Sequence, residues 1–174
     1  MTNNQSYKII LNPTSGRGSG GRAVPQIENL LREIGLNFEI VKTEYPWHAA
    51  ELARKAAVDG FDVVVAAGGD GTVNETINGL MGAKEAGNRL PAMGVLSVGR
   101  GNDFAFSMGI PTDLEAGCKT LASNQRRGID IGQVVGGLYP QGRYFGNGVG
   151  IGFDAVVGFE ALKLKRLLGF PSYL

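Results

Sequence analysis

The sequence is poor in cysteine and in net charge, and it contains no long apolar run. Cys118 is the single cysteine among 174 residues, so no disulfide can form within the chain. The formal net charge of +1 gives no general electrostatic basis for binding nucleic acid. No apolar run approaches the roughly 20 residues of a membrane-spanning helix, and the polar start, Met1 to Lys8, lacks a signal-peptide core. We therefore expect a cytoplasmic setting.

Glycine, in contrast, is abundant. The chain has 28 glycines among 174 residues, more than twice the usual share of roughly 7%. They are spread over several short loops, which argues against a collagen-like repeat or a flexible linker. Loops of this kind that follow strands often bind phosphates, because a residue without a Cβ lets backbone N–H groups approach the ligand.

Hydrophobic periodicity predicts an alternation of strands and helices over the first three quarters of the chain. We predict strands at residues 7–12, 38–42, 61–67 and 92–98. We predict helices at residues 23–34, 47–58, 72–82, 103–108 and 113–122. This order indicates an α/β fold, a three-layer nucleotide-binding domain with a parallel sheet between helices. Ligands of such sheets bind at the carboxyl ends of the strands, where the glycine-rich loops fall.

The pattern changes near Val134. A glycine-rich turn at 136–142 separates two predicted strands, 129–135 and 143–149, and a helix is predicted at 153–168. We therefore divide the chain into an α/β domain at 1–133 and the beginning of a β-rich domain at 134–174, whose roughly 40 residues are too few for a core of their own. We expect an exposed apolar surface at Val149, Ile151, Phe153, Phe159, Leu162, Leu167, Leu168 and Phe170. The basic residues Lys163, Lys165 and Arg166 suggest either a contact with anionic lipid or a helix of this second domain.

The first glycine-rich motif, residues 12–22, connects the first strand to the first helix. Gly16, Gly18 and Gly21 match the dinucleotide pattern G-x-G-x-x-G, but three residues separate them from the strand. The Walker pattern does not fit, and a flexible loop explains the motif equally well. Arg17 and Arg22 favour an anion site, because both flank a helix N-terminus.

The second motif, residues 68–75, joins a fully apolar strand to a helix and contains three glycines. Its backbone can wrap a phosphate, and the helix N-terminus adds a positive field. Asp70 places a carboxylate in a loop suited to anions, which indicates a cation such as Mg²⁺ between them. The alternative is that Asp70 or Thr72 simply caps the helix.

Two further acidic positions extend this pattern. Residues 99–104 repeat it, with glycines followed by Asn102 and Asp103, although Asn102 also fits a helix cap. Asp130 lies inside an apolar strand pattern, which by itself is typical of an edge or surface residue. Beside the other two acids it becomes a third candidate metal ligand.

Together these motifs resemble the diacylglycerol kinase catalytic family, which includes sphingosine kinases and bacterial lipid kinases. The stretches that match are residues 12–16, 68–75, 78–79, 99, 101–105, 110–111, 129–131 and 148–155, in the family's order. The Gly-Gly-Asp-Gly element alone also occurs in NAD kinases and phosphofructokinases. We therefore keep two alternatives open: a soluble-metabolite kinase of the NAD kinase type, and a non-catalytic nucleotide-binding module.

The resemblance implies ATP and Mg²⁺ as cofactors and a diacylglycerol-like lipid as acceptor of the γ-phosphoryl group, with peripheral contact to a membrane. Catalysis in such a site is mostly positioning and charge neutralisation. The implied nucleotide-binding residues are Asn12, Arg17, Arg22, Thr43, Gly68, Gly69, Asp70, Gly71, Thr72, Val73, Asn74, Glu75, Gly99, Arg100 and Asn102. The implied metal-organising residues are Asp70, Asp103 and Asp130.

The sequence departs from the family pattern in two respects. Arg100 stands where the family usually has threonine, and Phe106 stands where a basic residue is common. Family enzymes also take their general base, usually a glutamate, from a second β-rich domain, so we expect that group beyond Leu174. We accordingly expect no lipid turnover by these 174 residues, and possible association of the chain with itself.

Overall fold

The computed structural model describes residues 5–137, 139–153, 155–157 and 160. The elements in chain order are β1 (Ser6–Leu11), α1 (Ser15–Ile34), β2 (Asn37–Lys42), α2 (His48–Val58), β3 (Val63–Gly68), α3 (Asp70–Glu85), β4 (Ala92–Ser97), α4 (Asp103–Ser107), α5 (Leu114–Ser123), β5 (Gly132–Gly136) and β6 (Tyr139–Phe145).

Four strands form a parallel sheet in the order β2-β1-β3-β4, which confirms the predicted α/β class. The register aligns the carboxyl ends of the strands. Leu11 of β1 pairs with Ala67 of β3, and Gly68 of β3 pairs with Ser97 of β4. The three loops that follow these strands therefore start side by side at one edge of the sheet.

Each face of the sheet has its own core. On one face, Ile9 and Leu11 pack against Ile27 of α1 and Cys118 of α5, all fully buried. Burial raises the pKa of the Cys118 thiol to about 11, so the thiol is uncharged at neutral pH. Fully buried apolar residues of this kind each stabilise the fold by roughly 1.5–3 kcal/mol.

The other face is covered by α2 and α3, which pack closely because the residues between them are small. α2 contributes four buried alanines, and α3 contributes Gly79, which is also buried. A Cβ on Gly79 would overlap the backbone oxygen of Ala50 and lie 2.8 Å from its carbonyl carbon. Only glycine therefore allows this crossing of the two helices.

The beginning of α1 differs from the predicted helix at 23–34. The helix begins at Ser15, but Gly16, Arg17 and Gly18 have left-handed φ values of 59°, 60° and 89°. Glycine adopts this region without strain and other residues rarely do. The loop predicted from the glycines is therefore a left-handed turn that leads into a regular helix.

The second part of the chain needs a correction. β5 starts at Gly132 rather than at 129, so Asp130 lies outside any strand and is exposed. β6 covers Tyr139–Phe145 rather than 143–149. The two strands form a separate antiparallel sheet that pairs Gly132 with Phe145, and a Cβ on Gly132 would overlap the Phe145 ring. Residues 129–131 and 146–149 lie beyond that last pair and have no partner in this ladder, which the hydrophobic pattern alone did not reveal.

The division of the chain at 133/134 stays a prediction. The hairpin begins close to it and belongs to neither edge of the parallel sheet. Most of the predicted helix at 153–168, with its basic segment, lies outside the described residues. Within the described part of the chain, no helix has both the length and the hydropathy required to cross a bilayer.

Part of the predicted apolar surface is confirmed. Val149, Ile151 and Phe153 are 47%, 81% and 79% exposed, whereas Phe159, Leu162, Leu167, Leu168 and Phe170 lie outside the described residues. Adjacent exposed apolar side chains promote association. We expect the 174-residue chain to associate with itself, so that light scattering gives a mass that rises with protein concentration. Replacing Ile151 and Phe153 by serine should lower that mass, and a parent mass that stays monomeric at all concentrations would contradict the prediction.

Candidate functional site

The three glycine-rich loops meet at the carboxyl edge of the sheet through close backbone contacts. A Cβ on Gly99 would overlap the Cα of Gly69, and a Cβ on Gly16 would lie 2.6 Å from the carbonyl oxygen of Val98. The Ser15 hydroxyl donates a hydrogen bond of 3.0 Å to the same oxygen. The structure thus assembles the first three motifs into one site, as the parallel topology predicts.

Asn12 organises the first loop and ties it to the second. Its Nδ2 donates to Thr72 Oγ1 at 3.2 Å, and its Oδ1 accepts from the N–H and the hydroxyl of Thr14 at 3.0 and 2.9 Å. A Cβ on Gly20 would overlap the backbone oxygen of Asn12. The amide side chain of Asn12 is therefore occupied in shaping the loop, and Thr72 is buried behind it.

Asp70 is not the cap of its own helix. Gly69 is the N-cap of α3, and Asp70 opens the first turn. Its Oδ1 instead accepts a 3.0 Å hydrogen bond from the backbone N–H of Phe104, in the first turn of α4. Both helix ends favour a negative charge at this point. Neither sequence interpretation foresaw this bond, which joins the second loop to the third.

Asp103 stands beside Asp70 on the other side of Gly101. A Cβ on Gly101 would lie 3.0 Å from Asp70 Oδ2 and 3.7 Å from Asp103 Oδ2. Glycine therefore keeps open the space that both carboxylates border. Mg²⁺ in phosphoryl-transfer sites commonly takes one or two carboxylates, several waters and the phosphates of the substrate. The pair fits that requirement.

Asp130 lies in no cluster of metal-ligating side chains among the described residues. Across residues 5–137, 139–153, 155–157 and 160, no three His, Cys, Asp or Glu side chains come together in a way that would hold a metal ion. Asp130 is exposed and lies two residues before the start of β5 at Gly132. The prediction that placed Asp130 inside a strand was wrong, and its metal role stays a prediction.

Two buried polar atoms at this edge have no hydrogen-bond partner in the described part of the chain: Ser97 Oγ and Asn102 Oδ1. Asn102 has a left-handed φ of 59°, and its Nδ2 donates to Gly99 O at 3.3 Å. A buried unpaired polar atom costs about 1–3 kcal/mol, which makes both atoms candidates for a bond to water or to a ligand. Sequence reasoning missed Ser97, whose only signal is a hydroxyl at the end of an apolar strand.

Three arginines surround the loops. Arg17, Arg22 and Arg100 are exposed, and Arg22 Nη2 donates to Ser19 Oγ at 3.0 Å. Arg17 and Arg100 make no hydrogen bond or ion pair with other described residues, so their charges are available to a ligand. Thr43 follows β2 at the same edge, where its N–H donates to Leu11 O at 2.9 Å and prolongs the strand pairing.

The last three residues of the second motif have other partners. Val73 is buried and its N–H donates to Gly69 O at 3.1 Å. Glu75 Oε2 accepts from Ala49 N at 3.2 Å in the first turn of α2. Asn74 Nδ2 donates to the backbone oxygen of Tyr144 in β6 at 3.0 Å. These residues shape the site and leave Gly69, Asp70 and Gly71, which are not buried, to face a ligand.

The comparison with known families agrees with this geometry. The model of the family described as "Diacylglycerol kinase catalytic domain" matches residues 6–134, which is most of the chain. The chain belongs to the diacylglycerol kinase catalytic domain family. This membership favours the predicted lipid-kinase branch over the NAD kinase alternative, which shares only the Gly-Gly-Asp-Gly element.

Curated relatives and a solved structure also resemble this chain. The diacylglycerol kinase of Bacillus subtilis (strain 168) is 38% identical over 168 residues, covering 95% of this chain and 52% of the relative. That of Staphylococcus saprophyticus is 34% identical over 167 residues, covering 95% and 52%. A crystal structure of a diacylglycerol kinase from Bacillus anthracis str. Sterne superimposes with a TM-score of 0.61 at 24% identity over 77% of this chain and 43% of that one, which shows the shared fold. The chain thus spans about half the length of the curated diacylglycerol kinases it matches.

Proposed function

We propose that this chain is the nucleotide-binding part of an ATP-dependent lipid kinase that transfers the γ-phosphoryl group to a hydroxyl of a diacylglycerol-like lipid. The observation that carries the proposal is the assembly of three glycine-rich loops around the Asp70–Asp103 pair. Family membership and the names of the relatives support it. A lipid acceptor lies in a bilayer while ATP is in water, so the proposal includes cytoplasmic location and peripheral membrane contact.

Each part of the site has a role in this proposal. Backbone N–H groups of residues 68–72 and the N-terminus of α3 bind the phosphates. Arg17, Arg22 and Arg100 neutralise phosphate charge, and Thr43 and Asn102 contribute hydroxyl and amide groups at the rim. Asn12, Val73, Asn74 and Glu75 hold the loops in place through the bonds described above.

Asp70 and Asp103 would hold Mg²⁺ in this site. When bound, the ion neutralises the charge that builds up on the phosphates during transfer. Asp70 is fixed by its bond to Phe104 N–H, so its second oxygen keeps a defined direction. Asp130 remains part of the proposal only as an outer group that acts through water. No described residue is assigned as general base.

The metal role of Asp70 provides the first test of the function. Asp70→Asn removes the charge but keeps an oxygen that accepts from Phe104 N–H, so the fold should persist. In calorimetry, the parent chain should bind ATP more tightly with Mg²⁺ than without it, and the variant should lose that difference. Asp59→Asn, at the exposed end of α2, serves as a control that keeps the magnesium dependence. Equal affinity with and without Mg²⁺ in the parent would refute the metal role, and no ATP binding at all would refute the proposed function.

Arg100 provides the second test, because its side chain is exposed and unpaired within the described residues. If it contacts phosphate through a charge-assisted bond, Arg100→Ala should weaken ATP binding by about tenfold, or 1.4 kcal/mol. Arg100→Thr places a small hydroxyl there and should cost less. Arg54→Ala removes an equal charge from the exposed face of α2 and should have no effect. Unchanged dissociation constants for both Arg100 variants would show that the side chain points to solvent.

A further inference from the structure

Arg143 of β6 is held by three side chains beside the second loop. Its Nη2 donates to Asn74 Oδ1 at 3.1 Å, and its Nη1 donates to the Tyr139 hydroxyl at 2.8 Å. Its guanidinium carbon lies 4.5 Å from the centre of the Trp47 ring and 5.0 Å from that of Tyr139. We call these four residues the arginine clamp.

The aromatic side of the arginine clamp has an unusual backbone. Trp47 is the N-cap of α2 and has a left-handed φ of 71°. This region is an outlier for a bulky residue, and it persists only where the surroundings impose it. The backbone N–H groups of Ala50 and Glu51, at the start of α2, donate to the carbonyl oxygen of Trp47. The guanidinium group of Arg143 lies over the Trp47 ring. Strained residues of this kind concentrate at functional sites.

The amide side of the arginine clamp fixes β6 to α3. Asn74 and Asn78, one helical turn apart, donate to the backbone oxygen of Tyr144 at 3.0 and 2.9 Å. The backbone N–H of Tyr144 donates to Asn78 Oδ1 at 2.9 Å, and its hydroxyl donates to Glu85. That bond to the Glu85 carboxylate raises the pKa of the Tyr144 hydroxyl. Side chains of α3 thus act as the partner strand of β6 over this residue, so the hairpin follows the position of α3.

The charge of Arg143 is not neutralised within the described residues, where no carboxylate pairs with it. Its donors go to an amide oxygen and a phenol, and two ring faces cover it. Asn74 stands one turn after Asp70 on the helix that begins at the proposed phosphate site. A polyanion bound at that helix end would attract this cation and tighten its bond to Asn74.

We propose that Arg143 is a positioning residue that couples the nucleotide loop to the β5–β6 hairpin through Asn74. Nucleotide occupancy then fixes the hairpin, and with it the direction in which the chain continues after Phe145. The coupling rests on the proposed function, since it takes Mg-ATP as the ligand of residues 68–72. Bound nucleotide therefore strengthens the place that the bonds of Asn74 and Asn78 already give to the second part of the chain relative to the phosphates.

The arginine clamp carries its own reporter, because Trp47 is the single tryptophan of the chain. Titration of the 174-residue protein with Mg-ATP should change Trp47 fluorescence with the dissociation constant that calorimetry gives. Bound Mg-ATP should also slow hydrogen exchange of the Tyr144 amide. Arg143→Ala should abolish both responses at saturating Mg-ATP, while Mg-ATP still binds with a dissociation constant raised by about fivefold or more, the lower end of ordinary coupling.

Two variants complete the test. Arg143→Lys keeps the charge but cannot bond Asn74 and Tyr139 together while stacking on Trp47, so it should also lose most of both responses. If circular dichroism shows that Arg143→Ala does not fold, the responses of Arg143→Lys test the proposal instead. Arg54→Ala removes an equal charge from α2 and should keep both responses in full.

The outcomes separate the coupling from the function on which it rests. Full fluorescence and exchange responses in the Arg143 variants would overturn the coupling. Complete loss of Mg-ATP binding in a folded Arg143→Ala protein would make the arginine a direct ligand and overturn its positioning role. Calorimetric binding to the parent without either response would overturn the coupling alone. Absence of Mg-ATP binding to the parent would overturn the proposed function and the coupling with it.

Discussion

Gly99→Ala is expected to weaken Mg-ATP binding by at least about tenfold, or 1.4 kcal/mol. A Cβ at this position would overlap Gly69 Cα and lie 2.7 Å from Asn102 Oδ1 and 3.0 Å from Gly69 N. The atoms of Gly69 are backbone and cannot rotate away, so the second and third loops must separate. Separation displaces the N–H groups of the second loop and also strains the bond between Asp70 and Phe104 N–H.

Calorimetry on the folded variant measures this effect. Gly128→Ala is the matched control, because a Cβ on Gly128 meets nothing within 4 Å among the described residues and its φ is not left-handed. We expect that control to bind Mg-ATP like the parent. Equal affinity of the Gly99→Ala and Gly128→Ala proteins would mean that the contact between the two loops does not shape the nucleotide site.

Gly79→Ala is expected to give the largest loss of stability, about 1–3 kcal/mol, the range for inserting an extra methyl group into a well-packed core. The new Cβ would overlap the backbone oxygen of Ala50 and lie 2.9 Å from its Cα. Relief requires α2 and α3 to move apart, which also loosens the alanine packing beneath them. The gain in helix propensity, about 1 kcal/mol, offsets only part of the cost.

Gly82→Ala isolates the effect of packing, because it lies on the same helix and a Cβ there meets nothing within 4 Å in the described structure. It should raise stability by about 0.5–1 kcal/mol through helix propensity alone. Thermal melting should separate the two variants, since each kcal/mol shifts the midpoint by roughly 2–4 °C at this chain length. Alkylation of buried Cys118 gives a second measure, because the thiol reacts only when the core opens. A Gly79→Ala protein as stable as Gly82→Ala would show that the helices separate without cost.

The proximity of Asp70 and Asp103 was predictable because of sheet geometry. Each follows a predicted strand by a few residues, and parallel neighbouring strands bring their carboxyl ends to one edge. The run of valine and alanine in β3 likewise predicted a strand buried on both faces, and all residues of β3 are buried. These inferences succeeded because they depend on order and local composition, which the sequence contains directly.

Predictions about the positions and partners of particular side chains were less successful. Asp130 was placed in a strand because its neighbours are apolar, yet the ladder begins at Gly132, where Phe145 provides the partner. Asn74 stays a predicted nucleotide residue, and the sequence did not reveal that its amide bonds Tyr144 and Arg143, which are far away in sequence. A polar side chain can form a hydrogen bond with any suitable partner. The sequence pattern does not identify which partner the fold brings next to it.

The sequence by itself determined the α/β class, the family and the edge of the sheet at which the glycine-rich loops meet. It could do so because the order of the strands and the spacing of the glycines can be read directly from the sequence. Only the tertiary structure decided that Asp70 accepts a hydrogen bond from the first turn of α4, that Gly79 permits the crossing of α2 and α3, and that Arg143 contacts the rings of Trp47 and Tyr139. The contacts of Asp70 with Phe104, of Gly79 with Ala50 and of Arg143 with Trp47 join residues distant in sequence, and a shift of a few tenths of an ångström would change each of them. Such distances are set by the packing of whole elements, which no local pattern specifies.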